Sequence, residues 1–377
     1  MARRKKLPLP VGVSDYKRLQ EYYSVDKTEM IADILDAKIQ ISLFARPRRF
    51  GKTLNMSMLR TFFEKTDEDN SVYFKDKKIW QLGDEYKAEQ GKYPVIFLSF
   101  KDIKSKTFAQ AMESISLLIW EEFDRNLVAC ENLNNENLQY YKSVHSRKAS
   151  QSENEASLKM LTKFLHDYYG APAIIMIDEY DIPLQTAYMN GYYDEIISFM
   201  RAFLSAGLKD NSNIKYGFLT GITRVAKESI FSGLNNLRVY SILDKKFSQY
   251  FGFTQQEINE MAAYYEATDK LPEIKQWYDG YVFGEKEIYN PWSVVSYFEN
   301  YCMPGAYWGS TSSNDLLKEL IKNADSVITE KLNKLYEGEE VFEKIEPHIS
   351  YSDLKSRPSL IFSFLAICGY TKYDNVK

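Results

Sequence analysis

The stretch Ala45-Arg-Pro-Arg-Arg-Phe-Gly-Lys-Thr53 decides how the whole chain is interpreted. It follows a short apolar run, residues 39–45 (IQISLFA), and precedes residues 52–64, where apolar residues recur at helical spacing. A buried strand, a tight loop ending in Gly-Lys-Thr and a helix start surround an anion with backbone N–H groups and the positive end of the helix dipole. The stretch therefore predicts a phosphate-binding loop.

The residues at the end of this loop have distinct predicted roles. Gly51 lets the backbone approach the phosphates, Lys52 reaches the β- and γ-phosphates, and the Thr53 hydroxyl ligates Mg²⁺. The loop departs from the pattern GxxxxGK[ST], because Arg46 occupies the position of the first glycine. The predicted nucleotide-binding residues are Arg46, Pro47, Arg48, Arg49, Phe50, Gly51, Lys52 and Thr53. Two of them, Arg48 and Arg49, either add positive charge at the phosphates or contact a partner.

A second motif, residues 173–179 (AIIMIDE), is an apolar strand that ends in two carboxylates. Burying such carboxylates costs hydration free energy, unless a cation or hydrogen bonds compensate for the lost water. We interpret Asp178 as holding Mg²⁺ through its water shell and Glu179 as polarising the attacking water. The alternative is an ordinary strand end with solvated carboxylates, and the phosphate-binding loop upstream favours the first interpretation.

A third motif, residues 217–224 (GFLTGITR), is a strand that ends in polar residues. Thr220 or Thr223 could hydrogen-bond the attacking water, and Arg224 could stabilise charge in the transition state. An ordinary ion pair is an equally good explanation of Arg224. The candidate catalytic residues are therefore Lys52, Glu179, Thr220 and Arg224, and the candidate metal ligands are Thr53 and Asp178.

Composition excludes several classes of protein. With 48 basic and 52 acidic residues, the net charge of −4 excludes a uniformly basic nucleic-acid coat. The 3 cysteines are far apart and form no CxxC pair, which argues against a zinc module or disulfide framework and fits a reducing cytoplasm. Because no apolar run reaches the roughly 18 residues that a membrane span requires, we expect a cytoplasmic protein without a membrane partner.

The order of the segments predicts an α/β protein with two parts. Apolar runs at 39–45, 93–100, 173–178 and 214–220 predict buried parallel strands with helices between them. Strand signals become sparse after residue 250, so we predict an α/β domain over residues 8–250 and a mainly helical C-terminal module over 251–377.

Two other segments have properties that require an explanation. Residues 131–155 are rich in Asn, Ser and Glu, which predicts an exposed, mobile insertion. Residues 359–370 form an apolar run close to Lys377, and a segment so hydrophobic needs a partner. We therefore expect the natural polypeptide to continue beyond this residue.

These motifs resemble the bacterial AAA-ATPase-like family, whose members often carry a PD-(D/E)XK nuclease-like domain after the ATPase. The matching stretches are residues 9–16 (LPVGVSDY), 23–28 (YSVDKT), 46–53 (RPRRFGKT), 177–181 (IDEYD), 220–236 (TGITRVAKESIFSGLNN), 278–281 (YDGY) and 289–293 (YNPWS). The resemblance implies that the arginine at position 46 is the family's own variant of the loop, so the missing glycine does not by itself imply an inactive site.

The resemblance also implies a fold and a set of ligands. The expected fold is a P-loop NTPase of the additional-strand, AAA-like type, with ATP and Mg²⁺ at Lys52, Thr53, Asp178 and Glu179. Residues 23–28 are expected near the nucleotide. The chain shows no nuclease signature of an Asp followed by Glu-x-Lys, so the nuclease activity of relatives is not carried over.

Two functions follow from these observations. The first is Mg²⁺-dependent ATP hydrolysis, coupled to an attached or partner activity on nucleic acid, with DNA or a nuclease-like domain as the partner. The alternative is an ATP-dependent switch or binding module with negligible hydrolysis. Glu179 favours the first, because a switch has less need of a group that polarises water. The oligomeric state is left open.

Overall fold

A computed structural model describes residues 6–130, 133–222, 230–231, 234–308, 315–346 and 349–373. Five parallel strands form the central sheet in the order β2-β3-β4-β1-β5. The strands are β1 Ile41–Ala45, β2 Val95–Ser99, β3 Ala173–Asp178, β4 Ile214–Gly221 and β5 Leu237–Tyr240. Successive residues of β1 and β3 are all buried, so both faces of the sheet are covered.

The order of the strands places β4 between β1, which precedes the loop, and β3, which ends in Asp178. This inserted strand is the feature that the additional-strand fold requires, and the predicted α/β class is confirmed. The fifth strand, β5, was not predicted. It is short, and its Arg238 is exposed, so it lacks the continuous apolar run of the other four.

Helices surround the sheet and form most of the C-terminal part. They are α1 Tyr16–Leu19, α2 Glu29–Ala37, α3 Lys52–Phe63, α4 Lys78–Leu82, α5 Asp84–Lys87, α6 Phe108–Arg125, α7 Asn135–His145, α8 Gln151–Tyr169, α9 Ile182–Asn190, α10 Tyr193–Leu208, α11 Gln255–Tyr264, α12 Leu271–Tyr278, α13 Pro291–Glu299, α14 Asp315–Lys322, α15 Ser326–Tyr336, α16 Tyr351–Ser356 and α17 Ile361–Cys368. A hairpin of β6 Tyr281–Phe283 and β7 Lys286–Ile288 lies between α12 and α13. Among the described residues, no helix combines the length and hydrophobicity that a bilayer crossing needs.

The predicted mobile insertion at 131–155 is wrong over the residues that the structure describes. Helix α7 forms there, with Asn134 as its N-cap, and its Tyr141 and Val144 are buried. These two residues are three apart, so they share one helix face and bury it. The Tyr140 hydroxyl donates to the Glu153 carbonyl at 2.7 Å, which ties α7 to α8. The prediction failed because this helix buries only a narrow apolar face, so most of its residues are polar and resemble those of a loop.

The C-terminal part packs on the sheet domain through two separate groups of residues. Leu9 and Tyr23, near the N-terminus, pack with residues of α11 and α13 in a second hydrophobic core. All residues of α17 are buried, some in the main core and others against Ile328 of α15. The apolar run at 359–370 thus finds its partners within the described chain. The boundary at residue 250 stays a prediction.

Candidate functional site

The carboxyl ends of β1, β3 and β4 bring the predicted polar residues together. Thr220 of β4 pairs in register with Phe44 of β1, and thus lies between the loop and β3. The Thr53 hydroxyl donates to Asp178 Oδ2 at 2.7 Å, and the Thr220 hydroxyl donates to Asp178 Oδ1. Each oxygen of the Asp178 carboxylate therefore accepts a hydrogen bond from a hydroxyl, one on helix α3 and the other on strand β4.

The carboxyl group of Asp178 is fully buried. This burial raises its pKa, while hydrogen bonds from Thr220 and Thr53 and the charge of Lys52 oppose the rise. A carboxylate beside a hydroxyl oxygen is the type of oxygen ligand set that Mg²⁺ prefers. The arrangement thus fits a metal ion, whose charge would compensate the cost of burying the carboxylate.

Asp178→Asn is expected to raise the thermal unfolding midpoint of the metal-free protein. Because the pKa of Asp178 is higher in the folded state than in the unfolded state, stability falls as the pH rises from the unfolded pKa to the folded pKa. The amide removes this cost and still offers one acceptor and one donor to the two hydroxyls. Calorimetry at neutral pH, without and with Mg²⁺ and ATP, checks the prediction. A lower midpoint than that of wild type, in the metal-free protein, would contradict it.

Glu179 points its carboxylate into the site from a strained backbone position. Its φ of 54° lies in the left-handed region, which costs a non-glycine residue of order 1 kcal/mol or more. The Glu179 N–H donates to Thr220 Oγ1 at 3.2 Å, which holds this conformation. The side chain is 23% exposed, and its Oε1 lies 4.0 Å from Lys52 Nζ.

The loop itself ends in the conformation that the Gly-Lys-Thr motif requires. Gly51 is the N-cap of α3 with a φ of 81°, a value that glycine adopts without steric cost. The Lys52 side chain is 4% exposed, and its ammonium donates to the Pro47 carbonyl at 3.2 Å. An ammonium held beneath the loop in this way is placed to meet a phosphate.

A cavity of about 570 Å³ opens above these residues, within the range of small-molecule and cofactor sites. Its walls come from five parts of the chain: the N-terminal segment, the loop with the start of α3, the segments that follow β2 and β3, and the C-terminal module. The lining includes Val11, Val13, Tyr23, Val25, Arg48, Arg49, Gly51, Lys52, Thr53, Glu179, Phe253, Met261, Trp292 and Val295. The lining therefore combines cationic side chains with apolar and aromatic ones, the two kinds of contact that a nucleotide requires.

The structure places two predicted loop residues elsewhere. Arg46 is fully buried, and its Nη1 donates to the carbonyls of Ala45 at 2.9 Å and Tyr240 at 2.7 Å, so its side chain does not line the cavity. Pro47 contributes its carbonyl to Lys52 and does not line the cavity. The candidate residues Thr223 and Arg224 lie outside the described residues.

Sequence reasoning missed the part of the cavity that the C-terminal module builds. Met261 of α11 and both Trp292 and Val295 of α13 line it, although they are far from the loop in sequence. Local spacing holds no signal for such residues, because their place depends on tertiary packing. The only available signal was the stretch Asn290-Pro-Trp-Ser293, as part of the resemblance.

The fold and the site define a P-loop NTPase-like protein of the additional-strand class. Residues 10–231 match the AAA-ATPase-like family, described as "Predicted AAA-ATPase", and the chain belongs to this family. Membership supports nucleotide binding and suggests ATPase activity. The chain is also similar to an "Uncharacterized protein in vnfD 5'region" of Azotobacter chroococcum mcd 1, at 26% identity over 330 residues. That match covers 85% of this chain and 57% of the relative, so the chain spans little more than half of the relative's length.

Proposed function

We propose that the chain binds ATP with Mg²⁺ in the cavity and hydrolyses it. The observation that carries the proposal is the group in which Thr53 and Thr220 both donate to the buried Asp178 carboxylate. This group lies directly beside Lys52 and Glu179 at the end of the phosphate-binding loop. A buried carboxylate fixed in this way fits a divalent metal that accompanies a triphosphate.

Each side chain of the site has its own role in the proposed hydrolysis. Lys52 would exchange the Pro47 carbonyl for the β- and γ-phosphate oxygens, and Thr53 and Asp178 would hold Mg²⁺. The bound metal supplies positive charge that neutralises the phosphates. Glu179 orients and polarises the attacking water. Positioning and electrostatics thus account for nearly all of the catalysis.

We propose a positioning role for Thr220 in addition to the predicted hydrogen bond to the attacking water. Its hydroxyl donates to Asp178 and also accepts from the Glu179 N–H, so it is already engaged with both acidic residues. Thr220 thus holds the Asp178 carboxylate and the backbone of Glu179 in fixed positions relative to each other. We place the adenine base against apolar side chains of the lining, at Tyr23 and Met261.

An ATP-dependent switch with negligible turnover is the second candidate. The observation that favours it is the 4.0 Å distance between the Glu179 carboxylate and the Lys52 ammonium. In this arrangement Glu179 faces the loop's own cation, and it would have to turn toward water before hydrolysis. We include in the proposal that either function is coupled to a partner activity on nucleic acid.

Steady-state release of phosphate from ATP with Mg²⁺, without and with DNA, tests the proposed function. Turnover that requires Mg²⁺ supports the ATPase, and stimulation by DNA supports a nucleic-acid partner. Tight binding of ATP with no turnover under either condition would favour the switch. The absence of both binding and turnover would refute both candidates.

A further inference from the structure

The phosphate-binding loop is surrounded by residues from the C-terminal module. The Arg46 guanidinium lies 4.9 Å from the ring centre of Phe251 and 5.4 Å from that of Phe283. A Cβ placed on Gly369 would lie only 3.1 Å from the Cβ of Pro47, so the chain after α17 also approaches the loop closely. Residues that follow position 250 thus contact the first two residues of the loop.

The remaining residues of the loop have neighbours in the same module. The Trp308 indole donates to the Arg48 carbonyl at 3.5 Å, and the Arg49 guanidinium lies 4.3 Å from the Trp292 ring centre. The buried Phe50 ring lies 5.0 Å from the ring centre of Phe283. Each residue from 46 to 50 is therefore in contact with the C-terminal module.

Phe283, the last residue of β6, is the point where these contacts meet. Its buried ring touches Arg46 at the start of the loop and Phe50 just before Gly51. Tyr281, on the same strand, packs on Phe50 as well, and its hydroxyl donates to the Gly369 carbonyl at 3.1 Å. One aromatic ring thus contacts residues at both ends of the loop.

Arg46 needs this aromatic environment because it is a buried cation. Its Nη1 bonds two carbonyls, but its Nε and Nη2 have no hydrogen-bond partner among the described residues. Burial lowers the pKa of Arg46 to about 10, which still leaves it charged at neutral pH, and the negative charge of Asp244 opposes this decrease. The electron-rich faces of Phe251 and Phe283 stabilise such a desolvated guanidinium.

We propose that Phe283 is a positioning residue for the phosphate-binding loop, since it holds Arg46 and Phe50 so that the loop keeps its binding conformation without the first glycine. The C-terminal module is then part of the nucleotide site and responds to whether the loop is occupied. This inference rests on the proposed function.

The test compares ATP affinity in Phe283→Leu with that in Phe164→Leu. Both changes remove a buried ring and retain an aliphatic side chain, but Phe164 packs on Phe123 and Tyr140, away from the loop. Titration calorimetry with ATP and Mg²⁺, at a temperature where urea denaturation shows all proteins folded, gives the dissociation constants. We expect about tenfold weaker binding for Phe283→Leu, which corresponds to about 1.4 kcal/mol, and wild-type binding for Phe164→Leu.

A second variant keeps the inference testable if Phe283→Leu does not fold. Tyr281→Phe removes only the hydroxyl that bonds Gly369 and leaves the ring on Phe50, so it should weaken ATP binding by a smaller factor of about two to three. Equal dissociation constants for wild type and the variants of Phe283 and Tyr281 would overturn the positioning role while leaving the ATPase proposal intact. Failure of the wild-type protein to bind ATP would instead refute the proposed function, and the positioning role with it.

Discussion

Glu179→Gln is expected to bind ATP as tightly as wild type and to release phosphate at least about 100-fold more slowly. The amide has the shape of the carboxylate but cannot accept a proton from water. The left-handed backbone at this position is held by Thr220, and the substitution leaves that contact in place. Affinity should not fall, because removing a negative charge 4.0 Å from Lys52 leaves the ammonium free for phosphate.

Asp102→Asn is the matched control for this variant. Asp102 is an exposed carboxylate at the rim of the same cavity, so the change removes the same charge without touching the group around Asp178. Steady-state phosphate release and calorimetric titration with ATP, measured on both variants, separate hydrolysis from binding. Turnover of Glu179→Gln at the wild-type rate would show that another group acts on the water.

Lys52→Ala is expected to abolish ATP binding, with a loss of affinity of about 100-fold or more. A nearly buried ammonium that faces a phosphate forms charge-assisted hydrogen bonds in a site largely shielded from water. The substitution also removes the ammonium 4.0 Å from the Glu179 carboxylate, so this negative charge is less compensated where the phosphates would bind. Direct titration with ATP and Mg²⁺ measures the loss.

Lys104→Ala controls for the general loss of positive charge. Lys104 is exposed at the cavity and has the same charge, but solvent screens it and it lies outside the loop. It should change the dissociation constant by no more than about threefold. If Lys52→Ala bound ATP as well as Lys104→Ala, the loop could not be the phosphate site.

The sequence predicts those parts of the molecule that local patterns determine. A continuous apolar run that ends in Asp178 specifies a buried strand, and Gly170 ends α8 in the left-handed conformation, as expected of a C-cap. The Thr254 capping box opens α11, as its spacing indicates. Each of these signals lies within a few residues of the structure that it specifies.

The position of Arg46 could not be predicted in this way. Three arginines in one loop look alike in sequence, and each has the positive charge that attracts phosphate. Arg46 differs from Arg48 and Arg49 in packing between two aromatic rings, Phe251 and Phe283, which lie far along the chain in the C-terminal module. A packing contact between residues distant in sequence determines which of the three arginines is buried, and the local sequence pattern does not indicate such a contact.

The packing of the N-terminal segment affects the order in which parts of the molecule assemble during synthesis. The Leu7 N–H donates to the Tyr264 hydroxyl across 257 residues of chain, and Leu9 packs in the core formed by α11–α13. At a synthesis rate of roughly 5–20 residues per second, this segment waits tens of seconds for its partners. The phosphate-binding loop leaves the ribosome early, whereas the cavity walls that contain Met261 and Trp292 are synthesised much later. The cavity is therefore among the last parts of a nascent chain to assemble, because its walls are complete only once Met261, Trp292 and Val295 have been made.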